Sequence, residues 1–65
     1  MIENLYALRI NRGLSQKQLA EMCGVTQQFI QRIEKGKVNP SIPTIRKIAR
    51  ALSVTVDELI GKKAG

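Results

Sequence analysis

The stretch from Gln16 to Gly36 restricts the fold of this chain more than any other. Its apolar residues Leu19, Ala20, Cys23, Val25, Ile30 and Ile33 fall at helical spacing on either side of Gly24. Apolar positions recurring every three or four residues make one face of a helix. The stretch therefore reads as two short helices joined by a tight turn. Two helices crossing at a sharp angle impose specific demands. Ala20 must be small, because the second helix passes close to it. Gly24 supplies the left-handed backbone that a short turn needs. Leu19, Cys23, Val25, Ile30 and Ile33 must be apolar to weld both helices to the rest of the chain. All seven positions comply and are followed by Glu34-Lys35-Gly36, the pattern of a helix-turn-helix.

The remaining punctuation falls at Gly13, Asn39-Pro40 and Gly61, and the segments between these marks are also helical in period. Helix one is expected from about Ile2 to Arg12, with Met1, Leu5 and Leu8 on one face, Ile2 and Arg9 beside them, and Gly13 as its stop. Helix two starts after Ser15, where Ser15 and Gln18 form a capping box. Helix three starts after Thr26 and turns Ile30 and Ile33 inward. Helix four follows Ser41, with Pro43 in its first turn and a buried stripe of Ile42, Ile45, Ile48, Ala49 and Leu52. Helix five follows Thr55, which makes a second capping box with Glu58; Val56, Leu59 and Ile60 either close the core or offer a dimer surface. Val54 to Val56 is too short an alternation for a paired strand. The expected fold is all-α, a compact bundle of five short helices. Residues 1–61 form one helix-turn-helix domain and residues 62–65, with Lys62 and Lys63, a flexible basic tail.

Composition narrows the class of function. The 65 residues carry 11 basic and 5 acidic side chains, a net charge of +6, which favours polyanions and nucleic acid first among them. With one cysteine and no histidine, neither a zinc site nor an internal disulfide is available, and no metal or cofactor is expected. There is no glycine-rich phosphate loop. Asp57 and Glu58 are accounted for by helix capping, and Cys23 by core burial, so no catalytic constellation is left and no enzyme is expected. No stretch reaches the roughly 20 apolar residues of a membrane span, and the start has no secretory pattern; a cytoplasmic protein is expected.

With Ile30 and Ile33 committed to the core, helix three presents Gln27, Gln28, Gln31, Arg32 and Lys35 outward. Glutamine amides can pair with adenine N6 and N7, and arginine with guanine O6 and N7. Gln27 and Gln28 stand at the N-terminal end of the helix, the end that enters the major groove in this motif. Arg32 suits a base or a phosphate equally; Gln31 lies nearer the edge of the face. Phe29 either packs over the seam between helices two and three or meets a thymine methyl. Around these readers, Gln16 at a helix start, Lys17, Lys35, Lys37, Asn39 and Arg46 make a set suited to backbone phosphates.

The pattern Leu14-Ser-Gln-x-x-Leu-Ala20, Gly24-Val-Thr-Gln-Gln28 and Ile30-x-x-Ile-Glu-x-Gly36 resembles the lambda-repressor/Cro-type helix-turn-helix family, the XRE-like regulators. The resemblance continues through Pro40-Ser-Ile-x-Thr-Ile-x-Lys-Ile-Ala-x-Ala-Leu52 and Val54-x-Val-Asp-Glu-Leu59, so it covers nearly the whole chain. It implies a five-helix bundle and a bacterial or phage transcription regulator, most often a repressor. It implies binding of double-stranded operator DNA as a homodimer over an inverted repeat. It places base readers at Gln27, Gln28 and Arg32 and a phosphate contact at Gln16. It also pairs Arg9 with Glu34 as an inter-helix ion pair, where separate surface charges are the plain alternative. Two other functions fit the same fold: an antitoxin-type regulator that binds operator and toxin, and a protein-docking module. Tyr6 and Ile10, off the core stripe of helix one, are the hint of an apolar contact with some protein partner.

Overall fold

A computed structural model of the chain describes residues 4–61. Five helices follow one another: α1 (Leu5–Asn11), α2 (Gln16–Cys23), α3 (Gln27–Glu34), α4 (Ile42–Leu52) and α5 (Val56–Ile60). No strand occurs among the described residues. Helices this short are marginal alone, and the sequence meets that problem at their ends. Four of the five start on a hydroxyl cap. Ser15 Oγ accepts from the Gln18 amide at 3.0 Å while Gln18 Oε1 accepts from the Ser15 amide at 2.8 Å. Thr26 Oγ1 accepts from the Phe29 amide at 3.1 Å, and Ser41 Oγ from that of Thr44 at 3.4 Å. Thr55 and Glu58 form the second reciprocal box. Each cap satisfies donors that the helix itself leaves unpaired.

α1 starts differently. Its N-cap, Asn4, makes no capping bond with its side chain; the Asn4 side-chain amide donates instead to the Glu58 carbonyl at 2.9 Å. That contact satisfies a carbonyl in the last turn of α5 and ties one end of the described chain to the other. Expected residues Met1 and Ile2 of helix one lie outside the described residues, and the observed helix starts at Leu5 and stops at Asn11, short of the expected bounds.

The core is drawn from every helix. Leu5, Leu19, Ile30, Ile45, Ile48, Leu52 and Leu59 are fully buried, joined by Ala20, Cys23, Ile33 and Ala49. α2 is the central element, packing on α3 and on α4, while α5 closes against α4 and α1. Two expectations need correction. Ile42 is 59% exposed and does not belong to the buried stripe of α4. It is the first residue of that helix, and side chains tilt toward a helix N-terminus, so Ile42 projects past the end of α4 where no neighbour covers it. Leu59 is wholly buried and cannot serve a dimer surface; it finishes the core, and Val56 and Ile60 pack partly against it.

Gly24 has φ +71°, and the Val25 amide closes back on the Ala20 carbonyl at 3.0 Å, ending α2 within one residue. α4 ends with the same geometry on Ser53, φ 57°, the one non-glycine with positive φ among the described residues. A left-handed residue with a Cβ is strained by roughly 1–2 kcal/mol, part of which the greater chain entropy of an unfolded glycine offsets. Ser53→Gly is therefore expected to raise unfolding free energy by about 0.5–1 kcal/mol in urea denaturation; no gain would mean that the turn fits serine without strain.

Candidate nucleic-acid interface

The geometry of this face starts from a charged group held inside. Arg9 of α1 is only 6% exposed, and every nitrogen of its guanidinium has a partner. Nε donates to Glu34 Oε2 at 2.6 Å and Nη2 to Glu34 Oε1 at 3.2 Å, a two-point grip on one carboxylate. Nη1 donates to the Leu14 carbonyl at 2.8 Å, and the guanidinium carbon lies 5.3 Å from the centre of the Tyr6 ring. The Glu34 side chain is equally enclosed, and its Oε1 also accepts from Gln16 Nε2 at 3.0 Å. One carboxylate at the end of α3 thus holds side chains from α1 and from the start of α2. The Arg9–Glu34 pair is the only ion pair among the described residues, and no buried side-chain nitrogen or oxygen there lacks a partner.

The clamp and the core fix α3 from behind. Ile30 and Ile33 are buried, and Phe29 and Val25 pack partly against the same cluster. What remains outward is Gln27, Gln28, Gln31 and Arg32, all exposed. Arg32, Lys35 and Lys37 line one shallow groove with Gln31 and Val38, so the end of α3 and the loop after it present their cations together. Lys17 and Arg46 are exposed on α2 and α4, and Asn39 is exposed in the loop between α3 and α4. Gln16 is only half open, because its amide already donates to Glu34; it keeps one N–H and its carbonyl for another partner. Sequence reasoning missed that bond, since nothing local signals it. Lys62 and Lys63, expected in a basic tail, lie outside the described residues.

Phe29 takes part in two environments. It covers the edge of the core, and it also lines a small open depression with Thr26, Gln28 and Arg32. The described acidic residues leave this face to the cations: Glu34 is turned inward onto Arg9, and Asp57 and Glu58 sit in the first turn of α5. Glu21 lines a separate cleft with Met22, Lys47 and Arg50.

Cys23 is buried, and burial pushes its thiol pKa above the ordinary value, with the nearby Lys47 charge partly opposing the shift. A raised thiol pKa leaves little thiolate at neutral pH, the reverse of what a nucleophile requires. Among the described residues no cluster of three or more metal-ligating side chains occurs, and no helix is long and apolar enough to cross a membrane.

Comparison with known proteins agrees with this arrangement. Residues 5–59 match a family model described as helix-turn-helix. The chain is 43% identical over 56 residues to an uncharacterised HTH-type transcriptional regulator of Haemophilus influenzae, covering 86% of this chain and 57% of that protein. It is 33% identical over 61 residues to the immunity repressor of Bacillus phage phi105, covering 94% of this chain and 42% of that protein. These relatives extend beyond the match; the chain spans about half their length. Among solved structures, the restriction-modification controller protein C.AhdI from Aeromonas hydrophila superposes with a TM-score of 0.82 at 38% identity, over 85% of this chain and 83% of that one.

Removing one side of the Arg9–Glu34 clamp leaves a buried charge without its partner. Glu34→Ala is expected to lower unfolding free energy by about 3–5 kcal/mol, and the paired change Arg9→Met with Glu34→Leu to recover most of it. Thermal and urea unfolding of the three proteins decide the matter; a Glu34→Ala loss below about 1 kcal/mol would put the pair in the class of exposed ion pairs.

Proposed function

The chain belongs to the helix-turn-helix family of Cro/C1 type, and from that premise we propose that it is a sequence-specific DNA-binding transcription regulator that reads operator DNA in the major groove. The observation that carries the proposal is the division of α3 into two faces. Ile30 and Ile33 are buried and Glu34 is clamped, while Gln27, Gln28 and Arg32 stand exposed. The readers are mounted on a helix held by its buried face and by the Glu34 pair, which reduces the ordering left to be done at binding.

In this reading the N-terminal half of α3 enters the groove. Gln27 and Gln28 offer amides that match the N6 and N7 edge of adenine, and Arg32 meets guanine or a neighbouring phosphate. Gln16, Lys17, Lys35, Lys37, Asn39 and Arg46 hold the phosphates on either side and set the register. Gln16 serves two partners, since one N–H donates to Glu34 and the other is left for a phosphate at the start of α2. Two copies on an inverted repeat would present their reading helices about 34 Å apart, one turn of DNA. Repression then needs only occupancy, since a protein seated on a promoter excludes polymerase. The site of action is the cytoplasm of a bacterium.

A second reading, a protein-docking module whose DNA face is unused, has Tyr6 and Ile10 in its favour, 59% and 50% exposed on α1. Salt separates the two. Binding to DNA weakens steeply as salt rises, because the release of counterions that drives it is then less favourable, whereas an apolar contact survives.

Selection of random duplexes on the purified chain, at low and at physiological salt, tests the proposal directly. An inverted repeat enriched at physiological salt is the expected result, and enrichment of no sequence would overturn it. On the selected site Gln28→Ala is expected to cost roughly 1–3 kcal/mol while leaving random DNA almost unaffected; an equal loss on both would reassign Gln28 to the backbone. Arg46→Ala is expected to weaken all sequences alike and to reduce the salt slope by about one, and an unchanged slope would remove it from the phosphate set.

A further inference from the structure

The cleft between the last turn of α2 and the second half of α4 takes no part in the reading face. It has a volume of about 440 Å³, with Glu21 and Met22 on one side and Lys47, Arg50 and Ala51 on the other. Lys47, Arg50 and Ala51 stand at the spacing of one helix face, beside the buried stripe of α4. Cys23 and Gly24 complete the lining, and the space over the turn is open: a Cβ at Gly24 would touch nothing beyond its chain neighbours within 4 Å. Met22 is 56% exposed. One exposed apolar side chain is ordinary on a surface; this one is set in a cleft beside two exposed cations. A flexible thioether adapts its shape to what meets it, which suits methionine to a binding surface. The one ion pair among the described residues is Arg9–Glu34, so neither Lys47 nor Arg50 is paired with Glu21 across the cleft. Lys47 lies near enough to the Cys23 thiol to oppose the rise in its pKa, which keeps its charge over the cleft.

We propose that this cleft docks an acidic segment of a second protein, with an apolar side chain packed on Met22 and Ala51 and carboxylates against Lys47 and Arg50. Charge complementarity selects this occupant. A second copy of the chain is a poor match among the described residues: Glu34 is locked on Arg9, Glu58 is engaged in the capping box of α5, and Glu21 belongs to the cleft itself, which leaves Asp57 alone. A DNA backbone would match the cations but would leave Met22 uncovered and bring phosphates against the Glu21 carboxylate. A peptide can turn its acids toward α4 and an amide or hydroxyl donor toward Glu21, so that carboxylate fixes the direction in which the peptide lies. None of the lining residues belongs to the reading face or to the phosphate set. The site is therefore open when DNA is bound, and it stands independently of the DNA-binding reading.

A display library of random short peptides, panned on the purified chain at physiological salt, supplies the probe. The enriched peptides are expected to carry aspartate or glutamate beside leucine, methionine or phenylalanine. One of them, synthesised and added to the isotope-labelled chain, is expected to shift the amide resonances of Met22, Gly24, Lys47 and Ala51 and to leave those of Gln27, Gln28 and Gln31 in place. Lys47→Glu with Arg50→Glu reverses both charges and is expected to weaken the peptide about tenfold, whereas Lys47→Arg with Arg50→Lys retains it. Met22→Ala is expected to cost about tenfold as well. All three side chains are exposed, and circular dichroism establishes that each variant is folded.

Panning that enriches no peptide overturns the proposal. So do enriched peptides that shift α3 in place of the cleft, because their acids have then found only the cations of the reading face. Affinity that survives the double charge reversal in a folded variant overturns it too. Cleft resonances that move with protein concentration alone would assign the site to a second copy, and resonances that move on adding a random duplex would assign it to DNA; either result replaces the proposed partner.

Discussion

Everything exposed on α3 depends on the group held behind it. Arg9, Glu34 and Gln16 come from three helices and meet at one carboxylate. A guanidinium gripped at two points resists rotation, and the further bond to the Leu14 carbonyl fixes the loop between α1 and α2. An apolar pair in the same place would remove a desolvation penalty and would pack as well. It would also permit small slips of α3, because apolar contact has no preferred direction, whereas a fork of N–H donors does.

The second constraint is size. Among the described residues the core consists of eleven buried apolar side chains shared among five helices, and none of these helices exceeds 11 residues. Such elements gain little from their own hydrogen bonds, so their ends matter as much as their middles. Hydroxyl caps start α2 to α5, and left-handed residues stop α2, α4 and α5. The turn at Gly24 then brings α3 against α2 at once. The same economy explains why α5, only five residues long, can persist: Leu59 anchors it from one side and Asn4 holds its last turn from the other.

The face presented to a ligand is polar and positive because its acids are engaged or elsewhere. Glu34 is neutralised within the fold, and the remaining described acids lie on the C-terminal half of α2 and the first turn of α5. The outward cations Arg32, Lys35 and Lys37 gather along one groove. Phe29 breaks this polar surface at one point, and because it also belongs to the edge of the core its position is held by packing.

The sequence by itself determined whatever depends on neighbours within one helical turn. The capping boxes at Ser15 and Thr55, the left-handed turn at Gly24 and the inward stripe of Ile30 and Ile33 all follow from residues three or four apart. The five-helix fold follows from them. Burial of Ile30 and Ile33 also dictates which residues of α3 can face outward. Tertiary structure alone decided what long-range contact settles. Asn4 meets Glu58 across 54 positions of chain, and Gln16 meets Glu34 across 18; no local pattern encodes either. Ile42 had the right spacing for burial and is exposed, because spacing fixes a direction but not whether anything lies in that direction. Ser53 adopts a glycine-like backbone because the ending of α4 demands it. Helical period is a property of the chain, whereas the presence of a partner is a property of the packed fold, and that is where the boundary falls.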